Sequence, residues 1–329
     1  MDQDRKTQVF LIGAMKAGTT SIASMLGEQR KIYLSSVKEP NFFKTRARTL
    51  PFTGPVSSVE QWTNFHWTLD DYDRLFAKTM PGQLWLDAST AYLPSAEAPS
   101  MIREYNPDAR IIVSLRDPVE RAYSAYNYMS AGAGDRARTF EEALASELNG
   151  ERDTWLSPWR YLHVGKYDIH LANWLAEFPA QQILILDFND LVRDSAGTIG
   201  TICRHLDIGF DPSLVRSERE NTTAIGGPVN RWARRFLLNP GPWKVAIKPF
   251  LPHHIRHGMK QDALKALQKV GKRPEKMKPE TRAMLQAYYR PHIERTYDLL
   301  LAAFGLAGTA NPANGWLASA DAWADGRPG

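Results

Sequence analysis

The sequence predicts an α/β fold: a central parallel sheet flanked by helices, with helical additions in the C-terminal half. Three observations carry the prediction. Short continuous apolar runs such as Val9-Phe10-Leu11-Ile12 read as strands buried on both faces, the habit of parallel sheets. A glycine turn and then a helical pattern follow the first run, which is the opening of an α/β unit. Helical patterns separate the later runs, as parallel crossovers require.

The first strand, Val9 to Ile12, ends at Gly13, and the first helix runs from Thr19 to Leu26 with Ile22, Met25 and Leu26 at helical spacing. Further strands are expected at Lys31–Leu34, Leu84–Leu86, Arg110–Leu115 and Gln182–Leu186. After the fourth, Asp117-Pro118-Val119-Glu120 sets Asp at a helix cap, Pro at the first helical position and Glu three beyond the cap, a capping-box arrangement. Val119, Ala122, Tyr123 and Tyr126 then form one apolar face. Later helices are expected at Tyr167–Glu177, Ser195–His205 and Pro279–Phe304, the last kinked at Pro291. Arg46 to Trp67 reads as an irregular loop. Asn221 to Lys260 is broken by Gly226-Gly227-Pro228, Pro240-Gly241-Pro242, Pro249 and Pro252. Within it, residues 230–260 interleave basic and aromatic side chains and are expected to form a partly solvated helical cap. With no long linker and no internal repeat, residues 1–307 are expected to form a single domain, and the Ala- and Gly-rich residues 308–329 a loosely packed tail.

Composition narrows the functions. The 329 residues are 43% hydrophobic, 11% aromatic and 23% charged, which describes a folded globular protein and excludes disordered or collagen-like chains. No apolar run approaches the ~18–20 residues of a membrane-spanning helix, and the N-terminal apolar run is too short for a signal peptide. The single cysteine, Cys203, cannot form an internal disulfide, so the cytoplasm is the expected compartment. A net charge of +5 suits an anionic ligand but lacks the concentrated charge of a nucleic-acid binder. Oligomeric state is not legible.

Gly13-Ala14-Met15-Lys16-Ala17-Gly18-Thr19-Thr20 lies where the first strand meets the first helix. Backbone N–H groups and the positive end of the helix dipole converge there, so an anion is stabilised. Glycines admit a phosphate closely, the threonine hydroxyls add donors and Lys16 supplies charge. The fold is therefore of a P-loop type with three layers. Walker loops need Gly-Lys-Ser/Thr in sequence to place a metal-binding hydroxyl. Here the lysine precedes the second glycine by two positions, so a phosphate-like group without a metal is expected. Arg116, at the end of the fourth strand, and Ser124, about two turns into the next helix, are placed to hold a second phosphate from two sides.

Lys16-Ala17-Gly18-Thr19-Thr20-Ser21, Lys38-Glu39-Pro40-Asn41-Phe42-Phe43 and Leu115-Arg116-Asp117-Pro118-Val119-Glu120-Arg121-Ala122-Tyr123-Ser124 together resemble a sulfotransferase, and by motif the heparan-sulfate and carbohydrate type. The resemblance implies 3′-phosphoadenosine 5′-phosphosulfate as donor, adenosine 3′,5′-bisphosphate as product and transfer to a hydroxyl, less readily an amine, of a carbohydrate or other small-molecule acceptor. It implies that Lys16 is catalytic, stabilising the leaving phosphate oxygen, that Gly18, Thr19 and Thr20 hold the 5′-phosphate with Ala17 and Ser21 in the same donor-binding loop, and that Arg116 and Ser124 hold the 3′-phosphate. Glu39, in the matching motif, is the implied general base. Pro40 is expected to bias it toward extended backbone, with Phe42 and Phe43 packed beneath. Gly271-Lys272-Arg273-Pro274 resembles the basic loop over the donor, which adds Lys272 and Arg273. Lys38, Asp87 and His66 are expected near the acceptor, and His66 is an alternative base of the small-molecule branch.

Asp87-Ala88-Ser89-Thr90-Ala91-Tyr92 departs from the family pattern, which has Glu-Lys-Ser/Thr-Pro-Ala-Tyr here. Ala88 removes a lysine that lies near the reacting groups in relatives, which argues against a heavily anionic acceptor. Relatives in the secretory pathway carry an N-terminal membrane anchor, whereas this chain opens at its first strand, as a cytoplasmic bacterial enzyme would. Two other readings stay open: a P-loop kinase acting on a small molecule, and a donor-binding homologue without catalysis.

Overall fold

The computed structural model describes residues 6–45, 68–132, 135–215 and 276–305. Five strands, β1 (Val9–Gly13), β2 (Ile32–Leu34), β3 (Leu84–Asp87), β4 (Arg110–Leu115) and β5 (Ile183–Asp187), form one sheet in the order β2-β3-β1-β4-β5. Every pairing is parallel; β1 and β4 align Val9 with Arg110 and Phe10 with Ile111.

Side chains alternate across the strands and build two cores. Val9, Leu11, Leu86, Ile112, Leu184 and Leu186 face one layer, packed by Ile22 and Leu26 of α1 (Thr19–Gly27). Phe10, Ile12, Ile111, Val113 and Leu115 face the other. That layer is filled by α5 (Pro118–Gly132), α7 (Tyr167–Glu177) and α10 (Pro279–Phe304), the last contributing Leu285, Tyr289, Ile293 and Leu300. The sheet between two helical layers is the expected architecture, and α10 runs through Pro291 as one helix.

Pattern reading passed over several helices: α2 (Phe42–Thr45), α3 (Leu69–Asp73), α4 (Ala98–Tyr105), α6 (Phe140–Leu148) and α8 (Phe188–Arg193), which precedes α9 (Ser195–His205). α6 did carry a signal, because Thr139 accepts from the Glu142 N–H at 3.1 Å as a capping Thr-x-x-Glu pattern should. The capping box at α5 forms by half. Asp117 accepts from the Val119 and Glu120 N–H groups at 2.8 and 3.0 Å, but the Glu120 carboxylate turns away to Arg282 on α10. The segment 230–260 and the tail 308–329 lie outside the described residues.

In this order β1 sends its connection toward β2 and β4 sends its own toward β5, so the chain diverges between β1 and β4. Ligands of parallel α/β sheets bind at such a divergence, outside the carboxyl ends of the strands. The loops after β1 and β4 carry Lys16 and Arg116.

Candidate functional site

Lys16 and Gly18 both take left-handed backbone, with φ of 72° and 79°, and this turns the chain from β1 onto α1. A side chain at 18 would be strained by that φ, and its Cβ would lie 2.5 Å from Leu191 Cδ2. The loop is pinned to β4. Ala14 N–H donates to the Ser114 carbonyl at 2.7 Å, and Ser114 Oγ donates to the Ala17 carbonyl at 2.7 Å. Gly18 is the helix cap and offers no side chain to the first turn of α1, whose N–H groups have no intrahelical acceptor. Ala17, Thr19, Thr20 and Ser21 surround that helix end, Thr20 exposed and Thr19 buried.

Three cations meet there. The Arg116 guanidinium donates to the Lys16 carbonyl at 3.1 Å and lies 4.7 Å from the ring centre of Phe188. Its own carbonyl accepts from Tyr167 OH at 2.9 Å. Lys38 Nζ donates to Thr20 Oγ1 at 3.2 Å, so Lys38, expected beside the acceptor, stands with the phosphate loop. Burial pulls the Lys16 ammonium down to about 8, helped by the neighbouring charges of Arg116 and Lys38. Among the described residues no ion pair joins Lys16, Lys38 or Arg116 to a carboxylate. A buried ammonium depressed by two neighbouring cations, none of the three in an ion pair among the described residues, fits an anionic ligand. The Lys16 ammonium sits 4.4 Å from the ring centre of Tyr128 on α5. Ser124 lies four residues before Tyr128, on the same helix face one turn nearer Arg116.

Glu39 approaches from the β2 side. Burial raises its pKa, opposed by Lys38, the Thr90 hydroxyl and Lys44. The expectation of extended backbone is corrected: Glu39 is left-handed with φ 52°, as is Asn41 with φ 56°. Tertiary hydrogen bonds override the local bias of Pro40, because Asn41 N–H donates to Ser89 Oγ at 3.0 Å and Asn41 Nδ2 donates to the Glu39 carbonyl at 2.9 Å. Phe42 and Phe43 do pack beneath, against Tyr72 at 4.8 and 5.3 Å between ring centres.

Asp87, also expected near the acceptor, has no exposed surface; hydroxyls of Ser89, Tyr72 and Tyr92 donate to it at 2.6, 3.0 and 2.9 Å. Burial raises its pKa to about 6. His66, Lys272 and Arg273 lie outside the described residues. Sequence reasoning missed Ser114, Tyr128 and Phe188. A lone hydroxyl in the apolar run Ile111–Leu115 was a usable signal for Ser114; Phe188 had none.

A parallel α/β sheet with a glycine- and lysine-bearing turn after β1 and an arginine after β4 defines a class of group-transfer folds. The chain belongs to the sulfotransferase domain family, whose model matches residues 6–224. It is 29% identical over 196 residues to heparan sulfate glucosamine 3-O-sulfotransferase 3B1 of Homo sapiens, covering 59% of this chain and 44% of that protein. It is 27% identical over 289 residues to carbohydrate sulfotransferase 15 of Homo sapiens, covering 73% of this chain and 50% of that protein. The chain thus spans about half the length of these curated relatives or less. Among solved structures, a sulfotransferase from Alicyclobacillus acidocaldarius superposes with a TM-score of 0.65 at 23% identity, over 90% of this chain and 96% of that one, and shares the fold. No helix among the described residues is long and apolar enough to cross a membrane.

Proposed function

We propose that the protein is a sulfotransferase that moves a sulfuryl group from 3′-phosphoadenosine 5′-phosphosulfate to a hydroxyl of a carbohydrate. The observation that carries this reading is the Arg116–Lys16 contact, which joins the cation after β4 to the phosphate loop within one site. The donor supplies an activated sulfuryl group whose leaving group is the 5′-phosphate. The α1 N-terminus, Thr19 and Thr20 would hold that phosphate, and Arg116 with Ser124 the 3′-phosphate. Lys16 would stabilise the electron pair left on the 5′-phosphate oxygen as its bond to sulfur breaks. Glu39 would accept the proton as the acceptor oxygen bonds to sulfur, and a raised carboxylate pKa suits that task near neutrality.

Similarity to heparan sulfate and carbohydrate sulfotransferases supports a sugar acceptor, and Ala88, which lacks the lysine of the family pattern, supports one of modest charge. The free, buried Cys203 is consistent with a reducing cytoplasm. The reading is tested by calorimetric titration with adenosine 3′,5′-bisphosphate and, separately, with ATP and magnesium, followed by labelled-donor transfer to saccharides. Tight binding of the bisphosphate with transfer to a saccharide is the expected result. Preference for ATP with magnesium would favour a kinase, and bisphosphate binding without transfer to any acceptor a non-catalytic homologue.

A further inference from the structure

Beneath the Glu39 turn lies a hydrogen-bonded chain that the reaction scheme leaves unused. It starts at Asp87, the fully buried end of β3. Ser89 Oγ donates to Asp87 Oδ1 at 2.6 Å and accepts from Asn41 N–H at 3.0 Å. Asn41 Nδ2 then donates to the Glu39 carbonyl at 2.9 Å. The polarity of this chain is set by inventory. A backbone N–H can only donate, so Ser89 must accept from Asn41 and spend its single proton elsewhere. An acceptor-only carboxylate at 87 takes that proton and fixes the hydroxyl. At the far end, Glu39 holds a left-handed φ of 52° that a glutamate adopts at a cost, and such conformations persist where surroundings over-determine them. A second tie runs from the same carboxylate, because Tyr92 OH donates to Asp87 Oδ2 at 2.9 Å and accepts from the Phe43 N–H at 3.4 Å.

We infer that Asp87 and Ser89 are positioning residues for Glu39, holding the 39–41 turn in the left-handed form that aims the carboxylate at the acceptor. The inference rests on the reading of Glu39 as general base. It differs from a substrate contact at Asp87, because it predicts an effect transmitted only through residue 39. Tyr72 supplies the control, since its hydroxyl reaches the same carboxylate at 3.0 Å without lying on the path to Asn41.

The test compares the full chain with Ser89→Ala, Ser89→Thr and Tyr72→Phe, each with and without Glu39→Gln, using labelled donor with neutral oligosaccharides as the probe acceptor. Crystal structures of Ser89→Ala and Tyr72→Phe read the backbone at 39. Ser89→Ala should lower kcat about 10- to 100-fold through misplacement of the base, with bisphosphate affinity unchanged and Glu39 released from positive φ. Ser89→Thr should restore most of the rate. Tyr72→Phe should keep both the rate and the φ. In the Glu39→Gln background, Ser89→Ala should cost nothing further. If Ser89→Ala leaves kcat and the Glu39 φ intact while Glu39→Gln abolishes turnover, the positioning role is overturned and the base assignment stands. Losses that multiply in the double variant also overturn it. Full turnover in Glu39→Gln overturns the base assignment and this inference together.

Discussion

Arg116 donates to the Lys16 carbonyl at 3.1 Å, a bond between residues one hundred positions apart in the chain. The bond sets the guanidinium beside the loop after β1, and among the described residues no other hydrogen bond from its fork is made. It also makes the loops after β1 and β4 one unit, since moving β4 relative to β1 would break it.

Arg116→Ala should therefore weaken binding of adenosine 3′,5′-bisphosphate far more than binding of ADP. A charge-assisted hydrogen bond contributes about 1.5–3 kcal/mol, on the order of 10- to 100-fold in affinity. Calorimetric titration of both nucleotides checks this, and equal losses for the two would contradict a 3′-phosphate role.

Bisphosphate affinity should fall as pH rises through about 8. Burial holds the Lys16 ammonium at about 8 rather than at its ordinary value of 10.5, so the free protein loses that charge well before an ordinary lysine would. An anion binds the protonated form, hence affinity is full below that pH and declines above it. Lys16→Ala should abolish this alkaline limb, along with turnover.

Glu39→Gln should reduce kcat by about 10²–10⁴-fold, the range for losing a general base, with bisphosphate affinity retained. In the unmodified protein, kcat should fall on the acid side at a pH above the ordinary carboxylate range, because burial raises this group. A pH–rate profile with its acid limb near the ordinary glutamate value would contradict the assignment.

Asp87 should leave a trace in stability. Its folded pKa of about 6 lies above the unfolded value of 3.8, so its ionised form opposes folding above about pH 6. As pH falls from 6 to 3.8 the folded protein takes up a proton first, and that cost is relieved. Asp87→Asn should flatten the stability curve over this window, as read by urea unfolding at stepped pH.

Much of this architecture was legible because parallel strands buried on both faces leave a blunt signature. Arg110–Leu115, Tyr167–Glu177, Ser195–His205 and Pro279–Phe304 carry the bounds that apolar runs and proline positions imply. The loop at 13–20 was legible for a different reason, since glycine, lysine and threonine at a strand-to-helix turn serve an anion better than they serve packing. What escaped were features set by distant partners. Pro40 argues for extended backbone at Glu39, but Ser89, fifty residues away, outweighs it. Glu120 reads as half of a capping box until Arg282 draws it off. Phe188 owes its place to the Arg116 guanidinium over its ring, a residue remote in sequence, and no local pattern can announce that.

Phe188 also has a bearing on how the arginine is seated. Its ring centre lies 4.7 Å from the Arg116 guanidinium, and a Cβ at Gly18 would stand 3.1 Å from its Cδ2. A benzene ring neither bends nor shortens, so the platform beneath the guanidinium is flat and its depth constant. Leucine there would take that platform away and leave the guanidinium to its bond with the Lys16 carbonyl.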